Sequence, residues 1–509
     1  MTLILQKIEN LSASKLNLAT TLLAVLFAIQ IQYIQHGWIN PDSVLYLEAA
    51  NFFSNGEWKA GFEVFAWPFY SLCITAVNKI TQLGVHVSAQ ILNVLFFAIA
   101  TYSFIKIIQL AGGKQRQVIA GALIWLSAQY MIGGVLEMLM RDEGFWAFYL
   151  LSIVFFMRFY QQHQLKDALL WQVCIIVATL FRIEAISYLM FLPLIFIFQT
   201  GFNTKQKWKH LLAANAINIG LALVIILAFA FNDQLSTKLL GRLNEVFTTN
   251  LWQQFTQHLN DKSSIMSDQV LGEYLNEFAV QGLLMTFIYV IFVKTISATG
   301  FVNVILSVFA IRQNKQLIQP AAFSVLCASA FIALLNMALI ITKVFVLTGR
   351  YVLAISFILM VFAAFYFAEL LFKDPQNKKV KWLVLALVVF MLGGAVKNIL
   401  PKQQGYNYQQ EAIAWVSKNN KSNKPVFYED SRMRYFAGVP FIGAGIYNWE
   451  LLAAENKSNP SNNYEYLVIS HSTQHPEKEV LITEKLPEYH EVNRFSSAKA
   501  KKSIAIYQR

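Results

Sequence analysis

The sequence predicts an all-α polytopic membrane domain of about 11 transmembrane helices, followed by a small C-terminal α/β domain outside the bilayer. Three observations carry this reading. Apolar residues make up 56% of the 509 residues and the mean hydropathy is +0.46, while charged residues reach only 14%, against the quarter usual in soluble domains. Apolar stretches near the length of about 20 residues that crosses a hydrocarbon core recur along 1–399. From 400 onward the chain turns charged and is broken by Lys, Asn and Pro, and this tail is of a size that one soluble domain can take. The same composition excludes intrinsic disorder, collagen and coiled coil.

Taken in order, the apolar windows are 16–34, 88–110, 118–136, 144–160, 168–181, 183–198, 211–231, one within 282–311, 321–341, 351–372 and 382–399. The leading MTLILQKIENLSASK precedes an apolar stretch longer than a signal-peptide h-region and no small-residue cleavage site follows, so a retained first helix is expected. Lys and Arg gather in short cytoplasmic loops. Here alternate connections are basic, namely KQR at Lys114, KQKWK at Lys205, RQNK at Arg312 and KDPQNKKVK at Lys373, which puts the N-terminus inside and the C-terminal domain outside. That pattern requires 168–181 and 183–198 to be two helices, because one long helix would place the Lys205 and Lys373 clusters outside. Lys294 interrupts 282–311, which is open to a reading as an interfacial helix followed by a span. The resulting domains are 1–399 in the membrane, with external loops 37–87 and 232–281, and 400–509 outside it. Within the tail, residues 406–419 read as an amphipathic helix, PVFYE as a strand, SRMRYFAG as a helix closed by Gly438, and YEYLVIS, YHEVNRF and KSIAIYQR as strands.

Cys73, Cys174 and Cys327 stand singly in apolar surroundings and suggest no disulfide framework. His471 and His475, in HSTQHP, have helical spacing but sit in a polar loop beside Pro476, so a surface role outweighs a metal role.

Ionisable groups at membrane helices are costly and therefore mark candidate functional sites. They gather on the external side. The first external loop carries Asp42 directly after the first helix, on a helix whose polar members include Tyr46 and Glu48, with Lys59 further on. LEMLMRDEGFW brings Glu137, Arg141, Asp142 and Glu143 to the start of the next helix, where carboxylates gain from the helix dipole. FRIEA adds Arg182 and Glu184, and TKVFVLTGRY adds Lys343 and Arg350. Cations facing acids in short loops suit a phosphate held beside a carboxylate. Simpler roles exist for each: Asp42 as a helix cap, Arg141 with Asp142 or Glu143 as an interfacial ion pair, Arg182 with Glu184 as a snorkelling pair, and Arg350 as a headgroup anchor.

The segments PDSVLYLEAANFFSNG, MRDEGFWAFYLLS, FRIEAISYL and GRYVLAIS together resemble the C-type (GT-C) integral-membrane glycosyltransferases, and within them the RgtA/B/C/D-like, protein-mannosyltransferase and aminoarabinose-transferase relatives. The resemblance runs well through 16–198 and later rests on hydropathy and the RY at Arg350. It implies an inverting transfer of a sugar from a polyprenyl-phosphate donor to an acceptor outside the bacterial inner membrane: lipid A or lipopolysaccharide, an envelope glycan or a protein. Asp42 matches the family's catalytic carboxylate, and Asp142 or Glu143 the second acid, which orients substrate or holds a divalent cation. Mg or Mn on Asp42 and Asp142 is the cofactor that would follow. Arg141 and Arg350 would meet the lipid phosphate, with Lys59 as the loop cation. Ser43 stands where protein mannosyltransferases usually carry Glu, which speaks against a protein acceptor, and AWPFY keeps one Pro where the family has two. Membrane lipids are expected partners and nucleic acid is not. Other readings are a transporter or flippase for lipid-linked sugars, and an oligosaccharide ligase or polymerase of related plan.

Overall fold

The computed structural model describes residues 11–34, 38–221, 223, 251–313, 317–372, 378–400, 407–440, 449, 464–497 and 500–509. Their contacts divide the chain into two compact units: Met1–Ile31, Ile91–Leu136 and Arg141–Ile399 form one, and Gln32–Gln90, Glu137–Met140 and Leu400–Arg509 the other.

The first unit is helical, and the protein is a multi-pass membrane protein. Among the described residues seven helices are long and apolar enough to cross a bilayer: Ala13–Ile34, Val85–Leu110, Gln115–Met138, Asn276–Thr299, Pro320–Val344, Gly349–Phe372 and Lys378–Ile399. Gly349–Phe372 forms the core, buried over 83% of its most apolar window, whereas Asn276–Thr299 is 11% buried and presents its side chains to lipid. Lipid is as apolar as Leu, so such helices associate through close packing and a few polar contacts. Trp125 supplies both, stacking on Phe104 at 4.4 Å and donating from Nε1 to Thr101 Oγ1 at 2.9 Å.

Three expected spans differ in detail. The segment 168–181 ends with Phe181, and Arg182 takes extended backbone at φ −143°, so two segments follow one another as expected. The second is irregular, because Pro193 cannot donate a backbone hydrogen bond and the last turn tightens to a 3₁₀ helix at Leu192–Phe198. Lys294 does not interrupt anything. It lies inside the helix Ala279–Thr299, and the break falls at Gly300, whose φ of +88° favours glycine, before the short helix Phe301–Arg312. The long helix therefore comes first and the short one second. The expected span 211–231 is broken at Asn215, which ends the helix Thr204–Ala214 before helix resumes at 216, and residues 222 and 224–250, which include the start of the loop 232–281, lie outside the described residues.

The second unit is built on a four-stranded mixed sheet of order β1-β2-β4-β3, with β1 Val426–Tyr428, β2 Tyr466–Ser472, β3 His490–Ser496 and β4 Lys502–Gln508. β1 runs parallel to β2, with Val426 opposite Tyr466, and the other pairings are antiparallel. Side chains alternate across the sheet. Leu467, Ile469, Ala505 and Tyr507 meet Ile482 of the helix Glu477–Lys485 and its C-cap Leu486, while Tyr466, Val468, Ile504 and Ile506 meet Tyr408, Ala412 and Val416 of the helix Asn407–Asn419. The segment Gln32–Gln90 joins this unit. Trp38 enters the second of those cores, stacks on Phe436 at 4.9 Å and lies beneath the Arg432 guanidinium at 5.6 Å. Glu48 pairs with Arg434 at 2.7 Å. Cys73, Cys174 and Cys327 are free.

Candidate active site

Asp42 sits in the first turn of the helix Pro41–Ser54. Asn40 is the N-cap, its side chain accepting from the Asp42 amide at 3.0 Å, and Pro41 starts the helix without wasting an amide. The capping role is thus filled by Asn40. The Ser43 hydroxyl donates to the Met138 carbonyl at 2.5 Å, which fixes the first turn against 137–140. Asp42 is half-buried. Tyr46, one turn on, is buried edge-on to Phe65 and Tyr70 at 4.9 and 5.5 Å. Glu48 is committed to Arg434, whose other guanidinium nitrogen donates to the Val439 carbonyl at 2.8 Å. Lys59 is 92% exposed, 3.9 Å from Glu63.

The first unit holds a second constellation, assembled from three sequence segments. Arg141 is the N-cap of the helix Asp142–Gln162, which puts Asp142 and Glu143 in the first turn, both buried. Gly144 lets this turn close on its neighbour: a Cβ there would stand 2.4 Å from the Phe181 ring. Arg182 follows Phe181 and is 5% exposed. Its guanidinium donates to Asp142 Oδ1, reaches Glu184 Oε1 at 3.1 Å and stacks over the Tyr351 ring at 4.4 Å. Asn336 and Ser187 donate to the Glu184 carbonyl at 3.0 and 2.8 Å, fixing the turn. Arg350 opens the helix Gly349–Phe372 and stands 3.9 Å from Asp142 Oδ2. Gly349 makes room for the Tyr130 ring, 2.4 Å from where a Cβ would lie. Arg182, Glu184, Tyr188, Asn336, Arg350 and Tyr351 line one cleft.

Of the residues singled out in the sequence, the fold brings together Arg182, Asp142, Glu184 and Arg350, while Arg141 and Glu143 flank Asp142 along the chain. Lys343, exposed in the last turn of the helix Pro320–Val344, and Lys59 are not among the cleft's lining residues. Asn336 and Tyr351 join the site without having been singled out. Tyr351 had a signal, since it follows Arg350 in the GRY motif. Arg434 had none, being far along the chain from Glu48.

The donor set does not suit a divalent cation. Among the described residues no group of three His, Cys, Asp or Glu side chains converges, and both oxygens of Asp142 face guanidinium groups. Arg182 already supplies there the positive charge that a metal would bring.

A bundle of apolar helices with charged helix starts, carrying a small mixed-sheet domain, has the fold of the C-type glycosyltransferases, the class that the sequence motifs resemble. The solved structure of ArnT from Cupriavidus metallidurans in the apo state matches over 95% of this chain and 97% of its own, with a TM-score of 0.52 at 12% identity. A mutant of the arabinofuranosyltransferase AftD from Mycobacteria matches over 98% of this chain with a TM-score of 0.50 at 10% identity. This chain spans 42% of AftD's length. No protein-family model matches the sequence, and no curated protein does. At such identities the likeness is one of fold.

Proposed function

We propose that the protein is an inverting glycosyltransferase that moves a sugar from a polyprenyl-phosphate donor to an acceptor outside the bacterial inner membrane, with its N-terminus cytoplasmic and residues 400–509 extracytoplasmic. The observation that carries this reading is the cleft lined by Arg182, Glu184 and Arg350 among apolar helices, with Asp142 as the carboxylate that both arginines face. Buried charges in such surroundings are expensive and persist where they serve a site. Arg182 is committed to two carboxylates. Arg350 stands 3.9 Å from Asp142 with its side chain 26% exposed, and its guanidinium fork suits a phosphate oxygen reaching it from the cleft.

An acceptor hydroxyl is a weak nucleophile near neutral pH. Asp42 takes its proton as the new bond to the anomeric carbon forms, and the bond from that carbon to the phosphate oxygen breaks, its electron pair leaving with the lipid phosphate. Arg350 stabilises the charge that develops on the leaving oxygen. Attack opposite the leaving group inverts the anomeric centre. The acceptor is a lipid or envelope glycan, since Ser43 replaces the Glu that marks protein acceptors in the resembled family.

The test uses purified protein, a polyprenyl-phosphate sugar and membrane lipid acceptors, with mass spectrometry of the product. Asp42→Asn is expected to lower turnover by roughly 10²–10⁴-fold with the fold retained. Arg350→Ala is expected to lower kcat/KM by about 10–100-fold, the scale of one charge-assisted hydrogen bond. Unchanged surface glycans in a deletion strain would refute the reading.

A further inference from the structure

The sheet unit carries a second cavity that the proposed chemistry does not use. It has a volume of about 450 Å³, within the range of roughly 300–1,000 Å³ typical of small-ligand sites. It opens at the carboxyl ends of the parallel strands β1 and β2, where open α/β sheets commonly bind ligands.

The polar groups around it are arranged but incompletely used. Asp430 is locked by Arg432, whose Nε and Nη2 meet its two oxygens at 3.0 and 2.5 Å. The Gln409 amide donates to Asp430 Oδ2 at 3.3 Å, and since an amide oxygen cannot face a carboxylate favourably, this contact fixes which way round the amide sits. Gln409 Oε1 is left without a hydrogen-bond partner among the described residues, although the side chain is only 3% exposed. A buried acceptor of this kind calls for a donor. His471, 5% exposed, lies 3.0 Å from the Tyr507 hydroxyl through Nε2, while its Nδ1 has no hydrogen-bond partner among the described residues and stands 3.7 Å from Glu479. Burial, aided by Lys478 and Arg494, pushes the His471 pKa down to about 4, so the imidazole is neutral at pH 7 and offers one donor and one acceptor. Lys478 is held by Glu429 at 2.7 Å and by the Ser470 carbonyl at 2.8 Å, so its charge is spoken for. Ser503 also lines the cleft, its hydroxyl accepting from Arg494 Nη1 at 3.4 Å and left with its own proton to donate.

We propose that this cleft binds a saccharide unit, whose hydroxyls donate to Gln409 Oε1 and exchange hydrogen bonds with His471 and Ser503. The alternatives fit worse on chemistry. A phosphate near neutral pH is an anion most of whose oxygens only accept, and both Gln409 Oε1 and the Asp430 carboxylate would repel it. An apolar ligand would strand every polar group on the wall. A sugar hydroxyl both donates and accepts, which is what a wall of mixed donors and acceptors requires, with Lys502 as a further donor on it. The inference does not depend on catalysis, because it concerns binding by the sheet unit.

The experiment measures binding to the full-length protein in nanodiscs by saturation-transfer NMR, with glucose, galactose, mannose, N-acetylglucosamine, glucuronate and inorganic phosphate as separate probes. At least one sugar is expected to bind, and Gln409→Met, which keeps the volume and removes the amide, is expected to weaken it at least tenfold, as is Ser503→Val. Asp42→Asn is expected to leave it unchanged, so that loss of turnover and loss of binding report on different sites. The proposal falls if none of the five sugars binds, if phosphate alone binds, or if both variants, with unfolding midpoints like the parent's, bind sugar as the parent does.

Discussion

Two ion-pair networks in this molecule use the same residue types to different ends. In the helical unit Arg182 pairs with Asp142 and Glu184, and the side chains of Arg182 and Asp142 are 6% and 2% exposed. On the sheet unit Arg494 pairs with Glu479 at 2.5 Å and Glu491 at 2.6 Å, but its side chain is 31% exposed and theirs are 47% and 35%. The shorter list of partners belongs to neither, so the difference lies in the surroundings. Water screens the second network and competes for its groups, which makes each pair worth about 0–1 kcal/mol. The first has lost its water, so any member left without its partner becomes a serious liability. A network of that kind holds its charges in a fixed geometry, which a solvated one does not.

The sharpest way to break this comparison is Arg182→Ala. It strips the counter-charge from two carboxylates at once, and removing one partner of a buried pair costs about 3–5 kcal/mol. Thermal unfolding of the detergent-solubilised protein should show the loss as a large drop in midpoint. Arg182→Lys is expected to recover only part of it, because an ammonium cannot fork to both acids while stacking on Tyr351. If Arg182→Ala left the midpoint unchanged, the buried network would be no different from the exposed one.

An intermediate case lies between Glu48 and Arg434, whose side chains are 12% and 11% exposed. This pair ties the helix Pro41–Ser54 to the sheet domain, so Arg434→Ala is expected to cost about 1.5–3 kcal/mol, the range of a hydrogen bond to a charged group. Faster amide exchange across residues 41–54 would be the local signature. Tyr435 offers a second readout. Burial first and Glu48 second hold its phenol up at about 12, so Glu48→Gln should lower that value.

How legible these features are in the sequence follows the same division between local and distant. Helices that cross lipid announce themselves through composition alone, so the windows at 16–34, 88–110, 321–341, 351–372 and 382–399 all correspond to long helices. The strands of the tail are equally readable as short aromatic and β-branched runs, and the apolar run of Tyr466, Leu467, Val468 and Ile469 is buried on both faces of the sheet. The helix Glu477–Lys485 was not anticipated, because its apolar face is short and follows Pro476 in a charged stretch. At the site, the local pair Arg182 with Glu184 was visible, but its larger partner Asp142 lies 40 residues earlier and was joined to Arg141 or to a metal instead. No period or spacing encodes that meeting. Glu48 stands in the sequence only as a polar member of its helix and a candidate site residue, because its partner, 386 residues later, leaves no mark nearby. Glu143 and Arg141 were singled out correctly as belonging to a charged helix start, but sequence could not say which of the three turns inward to Arg182.

A smaller effect is expected from pH. The His471 imidazole is held at about 4, mainly by burial, against 6.5 in an unfolded chain. Between those values the unfolded chain binds more protons than the folded one, so stability rises with pH there. It is complete above about 6.5 and is lost progressively as the pH falls toward 4. Unfolding midpoints of the full-length protein from pH 4.5 to 7.5 should show this slope, and His471→Gln should flatten it while keeping a hydrogen-bonding group beside Tyr507.

The smallest effect should come from the exposed network itself. Arg494→Ala removes contacts to Glu479 and Glu491 that look strong by distance, yet a change below about 1 kcal/mol is expected. Salt decides whether the reasoning holds. At about 1 M ionic strength the screening length falls to about 3 Å, so the difference between Arg494→Ala and the parent should shrink toward zero. The difference made by Arg182→Ala should persist there, since ions cannot reach a pair that water does not. Equal salt sensitivity in the two variants would show that burial is not what separates the two networks.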